Sequence, residues 1–441
     1  MREVSGAAES TAPSAQPEIH RVCSPVKIGS VKLETPLILA PMAGVTDPPF
    51  RQLCREQAEA GVRDARQMRG EMGDLTHTVK ASEAHTDGRY APAGLWVCEM
   101  VTGRALVEDR PAAWLMVQPD PGDPVRSIQI YGTDPHSLEL SARRLVAEGY
   151  ADHIDLNFGC PVPKVTRKGG GSALPWKVDL LSAVLTAVVR GTREGSEEAG
   201  KSAPVPVTAK FRIGIDDAHT TIHDAVRACE DAGISALTVH GRTTAEYYGG
   251  HSHWDAIAAV VDETTLPVFG NGDVFEAQDA LDMMDQTGCA GVAVGRGAQG
   301  RPWVFYDIAA ALHGVAIGRE PSLRRVAETI ERHGELSIQH YGGDEARAMR
   351  QLRKHISWYL RGWGLGGQIR QHLAVIDSME NLRRLLASLP LDEPFPPAAH
   401  GKRGRSGVLK HVKVPEHWYE SRTLSPQAHD HLYETEDEMI G

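Results

Sequence analysis

The stretch VPVTAKFRIGIDDAHTTIHDAVRACEDAGISALTVHGRT, residues 205–243, decides the architecture. It opens on a short apolar run (205–212) and continues in a helical period that ends on a glycine (221–233). A second apolar run closes it (236–241), so it reads as buried strand, helix, buried strand. The same beat extends outward in both directions. Upstream lie LILAPM (37–42), LWVCEM (95–100), SIQIYG (127–132) and HIDLNFG (153–159); downstream lie LPVFGNG (266–272) and GVAVGRG (291–297). Eight strands alternating with helices predict an α/β fold, a (β/α)8 barrel. A doubly wound open sheet is the rival, disfavoured because the units carry no break in strand order.

With 441 residues, 41% of them hydrophobic, the chain is long enough for a large domain and a smaller one. Its six cysteines form no CxxC pair, which speaks against a disulfide framework or a thiolate zinc site and for a reducing cytoplasm. No segment offers the roughly 18 apolar residues of a membrane span, and residues 1–24 read as a disordered polar tail. A net charge of −11 disfavours indiscriminate binding to polyanions while leaving room for a local basic face. The barrel is expected over 25–315, with insertions at 57–94 and 191–204, the second of them a flexible acidic loop. A helical domain is expected over 322–390, and a mobile tail rich in Pro, Gly and cations over 391–441.

A barrel gathers its chemistry past the C-terminal ends of its strands. There the sequence supplies PMAG after strand 1, Gln129 on strand 3, Asn157 and Cys160 on strand 4, Lys210 and Arg212 on strand 5, and His240 and Arg242 on strand 6. Strand 7 ends in GNGD (270–273) and strand 8 in GRG (295–297). Glycine lets main-chain N–H groups approach an anion, and these two loops form the recurrent phosphate site of the fold, so a phosphate is expected beside Arg296. Flavin mononucleotide (FMN) fits a neutral amide and an ammonium at its ring edge. Pyridoxal phosphate, with Lys210 as its Schiff-base lysine, is the minority alternative and leaves Cys160 and Gln129 without a role.

Seven collinear motifs then point to a family. PMAGVTDPPFR (41–51), IQIYG (128–132), DLNFGCPVPKVTRKGGGSAL (155–174), AKFRIG (209–214), TVHGRT (238–243), GNGD (270–273) and VGRGAQGRPW (294–303) resemble the tRNA-dihydrouridine synthases, and MRQLRKHISWYL (349–360) resembles a stretch of that family's RNA-binding helices. The resemblance implies an FMN-containing barrel and a tRNA-binding helical domain, with NADPH as reductant and tRNA uridines reduced to 5,6-dihydrouridine. It further implies that Pro41, Met42, Ala43, Gln129, Lys210, Asn271, Gly272, Asp273, Gly295 and Arg296 contact FMN. His240 is implied near the flavin, Asn157 and Arg212 facing the base, and Cys160 as proton donor. Reducing C5–C6 needs hydride at C6 and a proton at C5, and a thiol is mostly protonated at neutral pH where a carboxylic acid would be ionised.

Arg347, Arg350, Lys354 and Arg361 make a basic helical stripe, and Arg350, Arg353 and Lys354 are the cations expected to meet RNA. His219, His223 and the HSH at 251–253 lack a completing carboxylate or cysteine cluster, so no metal is expected. A monomer without membrane association is expected. The rival functions are an FMN-dependent reductase of a free pyrimidine or other small molecule, and a catalytically idle RNA-binding protein.

Overall fold

The computed structural model describes residues 22–71, 89–120, 122–316, 318, 320–403, 407, 409–425 and 432. The expected tail over 1–24 therefore lies outside the described residues except for 22–24. Twelve strands are present among them: β1 (Val26–Ile28), β2 (Val31–Leu33), β3 (Leu37–Leu39), β4 (Tyr90–Ala91), β5 (Leu95–Trp96), β6 (Val101–Thr102), β7 (Ser127–Tyr131), β8 (His153–Phe158), β9 (Val207–Gly214), β10 (Ala236–Thr243), β11 (Val268–Asn271) and β12 (Gly291–Val294). Nine of them pair in parallel in the order β5-β3-β12-β11-β10-β9-β8-β7-β6. The two ends of that order, β5 and β6, are halves of one broken strand, and Val97 between them bridges to Ser127. The sheet thus closes on itself as eight strand positions, the barrel predicted from the sequence. All eight sequence runs coincide with these positions.

Strand parity divides the barrel interior. The hairpin β1–β2 plugs one end, where Ile28, Val31 and Leu33 pack on Ile38, Leu95, Ala236, Phe269 and Ala293. At the other end the inward positions are polar, because residues two apart face the same way: 127 and 129, 153 and 155, 208, 210 and 212, and 240 and 242. An outer core of helices surrounds the barrel, and a second core belongs to the helices Leu323–His340, Glu345–Tyr359, Gly367–Leu373 and Met379–Ala387.

Two expectations are corrected. The supposed flexible loop at 191–204 is largely helix, the last part of Val178–Glu198. Its glycines are contact points: a Cβ at Gly191 would lie 2.4 Å from the Glu139 carbonyl and one at Gly195 2.4 Å from that of Arg143, so glycine lets this helix touch Pro135–Ala147. Arg143 also pairs with Glu194 and Glu198, and Arg190 with Glu139. In the insertion at 57–94, residues up to Met68 continue the helix Pro48–Met68, Tyr90–Ala91 pairs with β2 at the plugged end, and 72–88 lie outside the described residues.

The second correction concerns the tail. Between 391 and 425 the described residues form a strap bound along the barrel rather than a mobile end. Leu391 and Glu393 accept from Arg324 and Leu323, Lys410 N–H donates to Ala245 O, and Thr166 Oγ1 donates to Lys413 O. Trp418, 3% exposed, donates to Ala173 O and packs where a Cβ on Gly169 would meet it. Lys177 Nζ then holds the Ser421 carbonyl at 2.7 Å. Trp418→Ala should cost about 3 kcal/mol, the usual loss for deleting a buried aromatic, read from the urea midpoint at constant m-value. A mobile tail would leave that midpoint unmoved.

Candidate active site

The polar end of the barrel opens into a cavity of about 720 Å³. Pro41, Met42, Ala43, Gln129, Asn157, Cys160, Lys210, Arg212, His240, Asn271, Gly272, Asp273, Gly295 and Arg296 all line it. Parallel register explains the gathering, since Gln129 is level with Asp155, Asn157 with Lys210, Arg212 with His240, and His240 with Asn271.

A chain of buried hydrogen bonds fixes the inner wall. Ser127 meets His153 Nδ1 at 2.8 Å, His153 Nε2 meets Thr208 at 2.9 Å, and Thr208 donates to Asp155 at 2.6 Å. Asp155 accepts from Gln129 Nε2 at 2.6 Å, and Gln129 Oε1 accepts from Asn157 Nδ2 at 2.8 Å. Because the Thr208 hydroxyl proton is committed to Asp155, His153 donates through Nε2 and accepts through Nδ1; burial holds this ring neutral, its pKa pushed down to about 3. Asn157 ends the chain, its Oδ1 accepting from the main-chain N–H of Gly159 and Cys160 at 3.1 and 2.9 Å. Asn157 thus holds the cysteine loop through its Oδ1 while lining the cavity.

Cys160 is 9% exposed, yet it shares the cavity lining with Gln129, Lys210 and Asn271. Burial raises its thiol pKa, outweighing the Val162 backbone and the Arg212 charge that lower it, so the sulfur carries its proton at neutral pH. Arg212 donates to the carbonyls of Gly159 and Thr243, leaving three of its five N–H bonds. Lys210 donates to Asn271 Oδ1 at 2.8 Å, and Asn271 is oriented by donating to Ala293 O. Burial, with the Arg212 charge beside it, pushes the Lys210 pKa down to about 7, so an anion brought to this ammonium is strongly favoured. His240 is held neutral by burial among Arg212, Lys210, Arg242 and Arg296, and it accepts from Arg242 through Nε2.

At the far side the loops after β11 and β12 touch, since a Cβ on Gly297 would lie 2.2 Å from Val274 O. Among the described residues the main-chain N–H groups of Gly272, Asp273, Gly295 and Arg296 meet no acceptor. Unpartnered amides beside an arginine form a donor set that fits a phosphate. The Asp273 carboxylate is committed elsewhere, pairing with the fully buried Arg242 at 2.7 Å, and its backbone is left-handed (φ 59). Together with the neutral Gln129 amide and Lys210, this set fits a mononucleotide of the flavin type.

Sequence reasoning missed Tyr247 and Tyr248, which also line the cavity. Tyr248 lies against the guanidinium groups of both Arg296 and Arg212, at 4.8 and 5.5 Å from its ring centre. The signal was available as two adjacent aromatics before paired glycines just past strand 6, in AEYYGG (245–250). Met100, Val274, Phe275, Trp358 and Lys410 are further lining residues that the sequence did not single out.

The three cations expected on the Glu345–Tyr359 helix are not brought into the cavity. Arg350 is exposed. Arg353, half-buried, holds the carbonyls of Ile376 and Val375 within the helical domain. Lys354 donates to Gln351 and its charge acts on Asp47 in the barrel. The histidines weighed for metal pair separately with carboxylates: His219 with Asp216, His223 with Glu263 and His253 with Glu246. Among the described residues Asp47, His333 and His355 bring ligand-type atoms within 4.8 Å of one another, but Asp47 already caps a helix and Lys354 stands beside it.

The dihydrouridine synthase (Dus) family model matches residues 38–391, barrel and helical domain together. The chain belongs to that family. It is 44% identical over 396 residues to the probable tRNA-dihydrouridine synthase of Mycobacterium tuberculosis H37Rv, spanning 89% of this chain and 92% of the relative. The Mycobacterium leprae counterpart is 45% identical over 382 residues, spanning 86% and 95%. tRNA-dihydrouridine synthase B of Escherichia coli K12 is 35% identical over 365 residues, spanning 82% and 98%. As a Dus protein this chain is a flavin-dependent oxidoreductase, and none of its described helices is long and apolar enough to cross a membrane.

Arg296→Ala should weaken FMN binding by about 10- to 100-fold, the factor carried by a hydrogen bond to a charged group, with the melting midpoint of the flavin-free protein little changed. Flavin fluorescence titration reads the first quantity and calorimetry the second.

Proposed function

We propose that this protein is a tRNA-dihydrouridine synthase that reduces the C5–C6 bond of particular uridines in tRNA, with FMN as cofactor and NADPH as reductant. The observation that carries the reading is a protonated thiol, Cys160, in the same cavity as a mononucleotide-type donor set. Arg296 and the amides of the 272–273 and 295–296 loops hold the phosphate, while Gln129 and Lys210 meet the ring edge. The chemistry that a reduced flavin held there would supply is the hydride for C6 of the base.

The chain's own residues do the rest. Cys160 donates its proton to C5, and Asn157 holds the loop that aims it. Arg212, with N–H groups to spare, meets the carbonyl edge of the base, and Lys210 stabilises negative charge at the ring edge. Lys164 and Arg167 beside the acid, and Arg350 and Lys354 on the helical domain, supply cations for the phosphates around an extruded uridine. The protein acts in the cytoplasm as a monomer, needing no metal.

Cys160→Ala should keep its flavin and its reduction by NADPH while losing about 10²- to 10⁴-fold in dihydrouridine formation, the range for removal of a general acid. The measurement is dihydrouridine content of initially unmodified tRNA. Normal turnover in that variant removes the thiol from the mechanism, and equal turnover on free uridine removes RNA from the function.

A further inference from the structure

The strap lies beyond the residues that the family model matches, which end at 391. It nevertheless builds part of the active-site rim. Arg403 O accepts from Arg296 on the phosphate side, and Lys410 then enters the cavity lining with its ammonium 4.1 Å from the Tyr247 ring centre. Three residues later Lys413 is bonded through its carbonyl to Thr166 on the cysteine loop, and it lines a neighbouring hollow with Arg167. Four residues of strap thus lead from the cavity mouth to the loop that carries the acid.

The charge of this segment is unlike that of the whole molecule. Between 396 and 415 there are five Lys or Arg and no Asp or Glu, in a chain of net charge −11. Two of the five serve the fold: Lys402 holds Gly250 O, and the buried Arg403 holds the Trp358 and Ala399 carbonyls. Lys410 and Lys413 are exposed, as are Lys164 and Arg167 on the cysteine loop, and among the described residues no carboxylate pairs with any of these four. The first carboxylate of the strap comes at Glu416, beyond the mouth. Exposed, unpaired cations flanking a cavity that accepts one nucleotide fit a polyanion whose charges repeat along a chain.

We propose that the strap is a further bank of the RNA path: Lys410 and Lys413, with Lys164 and Arg167 beside them on the cysteine loop, bind phosphates flanking the nucleotide inside the cavity. This rests on the functional reading above for the identity of the polyanion. Full-length holoenzyme carrying K410A/K413A, and separately K410E/K413E, is compared with wild type for binding of unmodified tRNA over a salt series. Flavin content and melting midpoint serve as controls, since both lysines anchor the strap through main-chain atoms that the substitutions keep.

The alanine pair should bind about 10-fold more weakly and lose roughly 1.4 to 1.8 from the slope of log K against log salt, the share of two phosphate contacts. The glutamate pair should bind more weakly again. Wild-type affinity and slope in the alanine pair overturn the proposal, as does a loss confined to flavin content. A wild-type protein that binds tRNA yet forms no dihydrouridine sinks the functional reading instead, and the strap is still judged by the binding series.

Discussion

Everything at the mouth of this barrel depends on the buried hydrogen-bond chain from Ser127 through His153, Thr208, Asp155 and Gln129 to Asn157. Polar groups inside a barrel cost free energy unless each finds a partner, and a half-satisfied chain is worse than an apolar plug. Here every link has one. The chain runs from the apolar floor to the main-chain N–H groups of Gly159 and Cys160, so the acid loop is fixed from beneath by the same network that orients the Gln129 amide. Directionality follows from proton count: one committed hydroxyl at Thr208 sets the His153 tautomer, and one carboxylate at Asp155 sets which end of Gln129 faces it.

The opposite wall is electrostatic. Lys210, Arg212, Arg242 and Arg296 approach one another, and among the described residues Asp273 alone is ion-paired with them, to Arg242 at 2.7 Å and Arg296 at 3.8 Å. Burial, and after it the repulsion from neighbouring cations, holds His240 neutral and lowers the Lys210 pKa to about 7. A cavity in this condition is pre-organised for an anion: the cost of crowding the cations is met in folding and relieved on binding. Tyr248 contributes by spreading its ring face between two of the guanidinium groups.

How much of this was legible in sequence depends on whether the signal was local. Each barrel strand announces itself by an apolar run, and many mouth residues by sitting at its end or just past it, so strand positions and part of the cavity lining could be read without coordinates. The hydrogen bonds between Asp155, Gln129 and Asn157 could not, because they join strands more than twenty residues apart and depend on register. Gly191 and Gly195 misled for the opposite reason: glycine breaks isolated helices, but here each is a place where another helix's carbonyl comes within 2.4 Å of the missing Cβ. The strap was misread because it has no periodicity. It is held by scattered anchors, a tryptophan and several main-chain carbonyls, which composition alone represents as disorder.

The break between β5 and β6 has a consequence for how wide the pocket can be. Seven strand positions reach the rim as single strands, whereas the second stops after Trp96 and resumes at Val101; Val97 and Cys98 still touch Ser127, but Met100 turns into the cavity and Glu99 reaches across to the Gly44 amide. A ring of eight uninterrupted strands has a circumference fixed by strand number and stagger. An interrupted one has a notch, so room for a bulkier occupant is gained on that side without adding a ninth strand or loosening the hydrogen-bonded staves around it.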